Sequence, residues 1–150
     1  MAVLSNDYEF FTYFNEIGII SQLSKWLFEQ GLPEGLTQSQ FSVLNWFARV
    51  DVEATPGRLA RVFQVTGGAM TNTLKKLESK GLVKVEPDKN SGRKKRVTMT
   101  RKGRQVRNKA IKAVSPLLKE FAEHFPIEKL RRQTRQLAEV RQYIDEYRYK

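Results

Sequence analysis

The stretch from Thr55 to Gly103, TPGRLARVFQVTGGAMTNTLKKLESKGLVKVEPDKNSGRKKRVTMTRKG, constrains the fold more than any other part of this chain. Thr55-Pro56 places a capping hydroxyl before a proline at the first helical position, where the missing N–H costs little. Leu59, Ala60 and Phe63 can pack inward, and Gln64-Val65 makes a turn. Thr66 then caps a second helix on which Met70, Leu74 and Leu77 fall on one side. Gly81 is well placed to stop it. Leu82–Glu86 and Arg96–Thr100 read as strands, with Pro87–Lys95 as the basic tip between them. This order predicts a helix-turn-helix followed by a two-stranded hairpin wing. Such a unit can set one helix in a DNA major groove with the hairpin beside it.

Helices are expected on both sides. Ser5 or Asn6 can cap the first, with Asp7 and Glu9 suited to its positive N-terminal dipole. Phe10, Phe14, Ile17, Ile20, Leu23 and Leu27 recur at three- and four-residue steps until about Gly31. Phe11, Tyr13, Trp26 and Phe28 widen that stripe beyond what one small core usually needs, which suggests burial against a second chain; deep burial within the same chain is the alternative. After a Pro/Gly turn at Leu32–Leu36, Thr37 caps a helix through about Arg49 with Gln40 placed for a capping box. Phe41, Leu44 and Phe47 or Ala48 would form its buried face, and Asp51–Thr55 the next connection. Thr100 can cap a further helix through Val106, Ala110, Val114 and Phe121, which Pro116 should kink or split. Beyond Phe125-Pro126, the series Ile127, Leu130, Thr134, Leu137, Ile144, Tyr147 approximates a heptad too short to establish a coiled coil.

Charge agrees with a polyanionic partner. The chain carries a net +11, unevenly spread. Residues 1–36 hold one cation against five acids, residues 37–102 fourteen against five, and residues 103–150 twelve against six. The excess therefore peaks on the segment patterned for DNA, although a solvated basic surface is common. There is no apolar run long enough to span a bilayer, no secretory signal and no cysteine, so a cytoplasmic location is expected and thiol-based sensing is excluded. An enzyme is disfavoured. The sequence has no phosphate-cradling glycine loop, no GxSxG, no metal-spaced His/Cys set and no isolated acid pair, and no cofactor or metal is expected. His124 alone is a poor metal nucleus, and Glu120 and Glu123 read as surface acids of a helix.

These residues support a resemblance. Thr66-Gly67-Gly68-Ala69-Met70-Thr71-Asn72 with Leu74 and Leu77, then Glu78-Ser79-Lys80-Gly81-Leu82-Val83, then Asp88 through Ser91, Arg93, Val97 and Thr98-Met99-Thr100 to Gly103 occur in a specific order and spacing. In them the chain resembles the multiple-antibiotic-resistance regulator (MarR) family of bacterial winged-helix transcription factors. The resemblance spans nearly the whole length. It implies a mainly α, six-helix domain over residues 1–150 with a DNA-binding lobe at 37–102. It also implies a homodimer joined through helices at 5–31 and 103–150. Two departures stand out: many relatives carry arginine where this chain has Asn72 and Asn90.

The outward face of the second motif helix supplies the reading candidates. Thr66, Gly68, Thr71, Asn72, Lys75 and Lys76 are assigned to DNA, with Thr71 and Asn72 short enough for base edges and the lysines suited to phosphates. Gly67 and Gly68 leave the helix N-terminus open to a phosphate, although loop flexibility explains them equally well. Thr66 can act as a cap with no DNA role. In the wing, Asn90, Arg93, Lys94 and Lys95 are assigned, with Arg93 in or along the minor groove. Strand alternation sends Lys95 and Val97 to one face and Arg96 to the other, and Asp88 is expected to pair with a wing cation, by resemblance Arg93. Thr55 and Arg58 are backbone candidates, though an exposed helix face accounts for Arg58 as well. By resemblance, a small-molecule effector would sit between the dimerisation helices and the lobe, and Phe14, Trp26, Trp46 and Phe47 could line such a cavity; aromatics at this spacing are more often core. The expected function is a sequence-specific regulator, in the sense of a repressor, that binds a pseudo-palindromic duplex. The alternative is a winged-helix architectural or protein-interaction module with largely non-specific DNA binding.

Overall fold

The structure is a computed structural model that describes residues 6–150. The candidate cap Ser5 lies outside the described residues. Two compact units are distinguished, Met1–Val114 and Ser115–Lys150.

The first unit opens with helix α1 (Asp7–Glu29), with Asp7 and Glu9 in its first turn. It passes through a 3₁₀ turn at Pro33–Gly35 into α2 (Gln38–Arg49). The capping box is present: Thr37 Oγ1 accepts the Gln40 N–H at 3.2 Å, and Gln40 Oε1 accepts the Thr37 N–H at 3.3 Å. The buried face of α2 is formed by Gln40, Val43, Leu44, Trp46 and Phe47. Phe41 and Ala48 are only half-buried, so the inward stripe runs through Val43 and Trp46 where sequence spacing favours their neighbours. At positions 40–48 several phases place an apolar residue every third or fourth step. Only the neighbouring elements choose between them.

Helix α3 (Pro56–Val62) and helix α4 (Gly67–Ser79) follow, each capped as expected. Thr55 Oγ1 accepts from Arg58 N and Thr66 Oγ1 from Ala69 N, both at 3.1 Å. Between them Gln64 adopts φ 55°, which lets the chain reverse within a few residues. The end of α4 is a Schellman turn. Gly81, at φ 72°, donates to the Glu78 carbonyl, Leu82 donates to that of Leu77, and Leu77 and Leu82 are both fully buried.

The sheet differs from the predicted hairpin in two ways. It has three strands, because Glu53–Ala54 (β1) pairs with β3 at Glu53↔Thr98 and Ala54↔Val97. Two residues are too few to show any periodicity, so this strand is invisible in the sequence. Strands β2 (Val83–Asp88) and β3 (Ser91–Met99) also reach into the stretch expected to be loop, leaving only Lys89-Asn90 at the tip. Backbone pairing proceeds through the charged run because both faces there are solvated. Pro87 is tolerated because β2 is an edge strand of the order β1-β3-β2.

Helices and sheet enclose one core of Leu44, Leu59, Leu74, Leu77, Leu82, Val97 and Val106 with their neighbours. The fully buried leucines each contribute about 1.5–3 kcal/mol. Helix α5 (Arg101–His124) starts under Thr100, whose Oγ1 accepts from Gly103 N at 3.0 Å, and it buries Gly103, Val106, Ala110 and Val114. Pro116 does not split α5, which is assigned without interruption across it. A mid-helix proline removes one hydrogen bond, to the carbonyl of residue 112, and Lys112 is exposed, so water can serve that carbonyl. The second unit holds the end of α5 and helix α6 (Ile127–Tyr147). No residue of α6 is buried, and Ile127, Leu137, Ile144 and Tyr147 are exposed.

Candidate nucleic-acid interface

Helix α4 is anchored by one face and free on the other. Met70, Leu74 and Leu77 are buried, whereas Gly67, Gly68, Thr71, Asn72, Lys75, Lys76 and Ser79 are exposed. At 100° per residue, Gly68, Asn72, Lys75 and Ser79 follow one another along the outward side, with Thr71 and Lys76 flanking them. Ser79 is absent from the sequence-derived set although the same three/four step reaches it; its hydroxyl donates to the Lys76 carbonyl. Thr66 is a helix cap by geometry, and its side chain remains exposed.

The two glycines are not loop residues. They occupy the first turn of α4, where glycine costs a helix about 1 kcal/mol relative to alanine. Neither has a positive φ, and a Cβ built on either would meet nothing within 4 Å among the described residues. Nothing among the described residues requires glycine there.

In the wing, register is regular from Val83↔Met99 to Pro87↔Lys95 and then jumps to Asp88↔Ser91. Gly92, Arg93 and Lys94 thus sit on a bulge of β3 with no residue opposite them, which turns the strand and projects its side chains. Arg93, Lys94 and Lys95 are exposed, as are Lys89 and Asn90 at the tip. Lys89 is missing from the sequence-derived candidates, although it lies within the stretch expected to form the tip. Asp88 does not hold Arg93: its Oδ1 accepts the Asn90 N–H at 3.1 Å, an Asx turn that orders the tip. Arg96, on the opposite face from the buried Val97, pairs with Glu53 at 3.1 Å and so ties β3 to β1. Further down the wing Lys84 lies 2.7 Å from Glu86; their hydrogen bond and mutual attraction lower the Glu86 carboxyl and raise the Lys84 ammonium from their ordinary values.

The helix before the turn is less free than expected. Arg58 Nη1 lies 2.9 Å from Asp51 Oδ2, and its guanidinium sits over the Trp46 ring at 5.3 Å. Thr55 Oγ1 is engaged as a cap. The four aromatics considered for an effector fall into two groups. Trp46 and Phe47 meet edge to face in the core at 5.3 Å, whereas Phe14 and Trp26 lie on α1, 48% and 60% exposed. A cleft of about 420 Å³ beside the wing tip is lined by polar groups, among them Asp51, Arg58, Asp88 and Arg96, and by none of the four.

Comparison with known proteins gives the same answer from a second direction. A family model described as MarR family matches residues 34–94, from the turn before α2 through the wing bulge. A mutant of MarR from E. coli complexed with operator DNA superposes with a TM-score of 0.77, at 27% identity over 93% of this chain and 99% of that one. The lobe from the turn before α2 to the wing bulge thus matches the MarR family. Another MarR-like fold, that of the transcriptional regulator BldR from Sulfolobus solfataricus, matches at 28% identity and TM-score 0.77 over 92% of this chain and 99% of that one. The transcriptional activatory protein BadR of Rhodopseudomonas palustris is 39% identical over 75 residues, 49% of this chain but only 43% of that protein. The match thus spans less than half the length of that curated relative. Among the described residues no helix is long and apolar enough to cross a membrane, and no group of three or more His, Cys, Asp or Glu is placed to hold a metal.

Proposed function

We propose that this chain is a MarR-family, sequence-specific DNA-binding transcriptional regulator that works as a homodimer on a pseudo-palindromic duplex. The observation that carries the reading is the first turn of α4. Two glycines there weaken a helix that gains nothing from them internally, and they open its N-terminal N–H groups to an approaching phosphate. Next to them Thr71 and Asn72 would read base edges, and Lys75 and Lys76 would meet phosphates. The bulge carrying Arg93 and Lys94 would enter the adjoining minor groove. Residues 37–102 are assigned as the reading lobe, and α1, α5 and α6 as the dimerising helices.

Dimerisation is supported by α1, which buries none of its residues although Phe10, Phe11, Phe14, Ile17, Ile20, Leu23 and Trp26 are all exposed. Such a face is rarely left to water in a monomer. A two-fold pair would offer recognition helices about 34–36 Å apart, one turn of DNA. Genomic DNA selection with footprinting of the enriched fragment tests this. One protected pseudo-palindrome with a specificity ratio above roughly 10³ is expected. Uniform, steeply salt-dependent binding would instead establish an architectural protein. A footprint over the promoter would mark a repressor, and disappearance of that footprint on adding an aromatic acid would mark effector release.

A further inference from the structure

Helix α1 leaves the lobe through an elbow at residues 30–37, and no residue of α1 is buried. Packing against the chain is concentrated in its last two turns, where Ser24, Leu27, Phe28 and Glu29 are half-buried, so the rest of its length does not set its direction within the chain. The elbow does. Glu34 and Gly35 there adopt φ values of 58° and 66°, a region that a side chain such as that of Glu34 rarely occupies.

Two side chains hold this turn: Glu29 Oε1, at the end of α1, accepts the Gln38 N–H across it at 3.3 Å, and an ammonium group binds its carbonyls. Lys80, at the C-cap of α4, donates from Nζ to the Glu34 carbonyl at 3.2 Å, to the Gly35 carbonyl at 3.3 Å and to Gln40 Oε1 at 3.3 Å. An ammonium has three N–H groups, so every donor has an acceptor. Gln40 is itself 4% exposed, and its Oε1 also closes the capping box of α2 with the Thr37 N–H. The elbow, the start of α2 and the end of the recognition helix thus meet on a single charge. The same helix end is fastened on its other side, where Lys102 Nζ donates to the Lys80 carbonyl at 3.0 Å and Thr100 Oγ1 to that of Gly81 at 2.6 Å.

We propose that Lys80 is a positioning residue whose ammonium fixes the angle at which α1 leaves the lobe, and that it thereby sets the half-site spacing the dimer accepts. The second clause rests on the proposed dimeric DNA reading; the first does not. Spin labels at Gly18→Cys on α1 and Val62→Cys on α3, in a chain with no cysteine of its own and diluted with unlabelled protein, report the angle as an intrachain distance. A single narrow distance is expected with Lys80, a broadened or shifted one in Lys80→Met, and a narrow one again in Lys80→Arg. An unchanged distance in Lys80→Met overturns the proposal even if stability falls. Should that variant not fold, Lys80→Gln, too short to reach all three acceptors, is read the same way. Duplexes with one base pair added or removed between half-sites test the second clause. Lys80→Met should lose the spacing preference of the unsubstituted protein while binding an isolated half-site as before; a retained preference refutes that clause. If the unsubstituted protein shows no spacing preference, the dimeric reading and the second clause fall together, and the label distances still decide the first.

Discussion

Replacing Gly103 by alanine should destabilise the protein, although alanine is the better helix former. Gly103 lies in the first turn of α5, where an unobstructed Gly→Ala change stabilises a helix by about 1 kcal/mol. Here the added Cβ would fall well inside van der Waals distance of the Leu82 carbonyl oxygen, 3.0 Å from the carbonyl carbon and 2.9 Å from Met99 Cγ. The obstruction is mostly backbone, and it is pinned: the Leu82 carbonyl accepts the Thr100 N–H at 3.0 Å, and Leu82 is held by its own hydrogen bond to Leu77. It cannot swing aside as a side chain would. Overpacking against such a wall costs about 1–3 kcal/mol, at the upper end where the wall is rigid. Subtracting the propensity gain leaves a net loss of about 2 kcal/mol, or a fall in melting temperature of about 4–8 °C for a chain of this size. Urea denaturation at one fixed protein concentration measures it, since a dimer's apparent stability varies with concentration. A Gly103→Ala protein as stable as the parent, or more so, would refute the reasoning.

Gly68→Ala reverses that logic. With open space around the new methyl group, stability should hold or rise by up to about 1 kcal/mol while operator affinity falls; unimpaired binding would show that nothing approaches the α4 N-terminus. Arg93→Ala should lower the slope of log affinity against log salt by about 0.9 for each phosphate no longer neutralised, whereas Arg96→Ala, which removes a partner of Glu53, should leave that slope unchanged; equal slopes for both would remove Arg93 from the interface. The Lys84–Glu86 pair gives a pH test. Glu86 is lowered, so its contribution is present above the ordinary carboxylate range and is lost as pH falls through the lowered folded value; Lys84 is raised, so its contribution is lost only as pH rises through its folded value. Both side chains keep much of their surface in solvent, so the pair's contribution is small; Glu86→Gln should move the urea midpoint at pH 7 only slightly, and a large drop there would contradict the reasoning.

What the sequence determined by itself was the local grammar of the fold. Thr37, Thr55, Thr66 and Thr100 cap helices, Gly81 ends one, and Met70, Leu74 and Leu77 face inward, because each of these depends on groups within a turn or two of chain. The outward set on α4 was legible for the same reason: once three residues are known to be buried, helical geometry places the rest. Distance in sequence hid everything else. The strand at Glu53–Ala54 exists only because Val97 and Thr98 lie beside it. Arg58 reads as a free cation until Asp51 and Trp46 come to meet it. Arg93 reads as part of a loose loop, whereas pairing carries the strands almost to the tip and leaves it on a bulge. Nothing in a string of residues distinguishes Gly103, walled in by a carbonyl, from Gly68, open to whatever approaches, or reveals that Lys80 reaches back some 45 positions to hold the elbow at Glu34 and Gly35. Those distinctions arise between segments far apart in the chain, and only the tertiary structure brings them together.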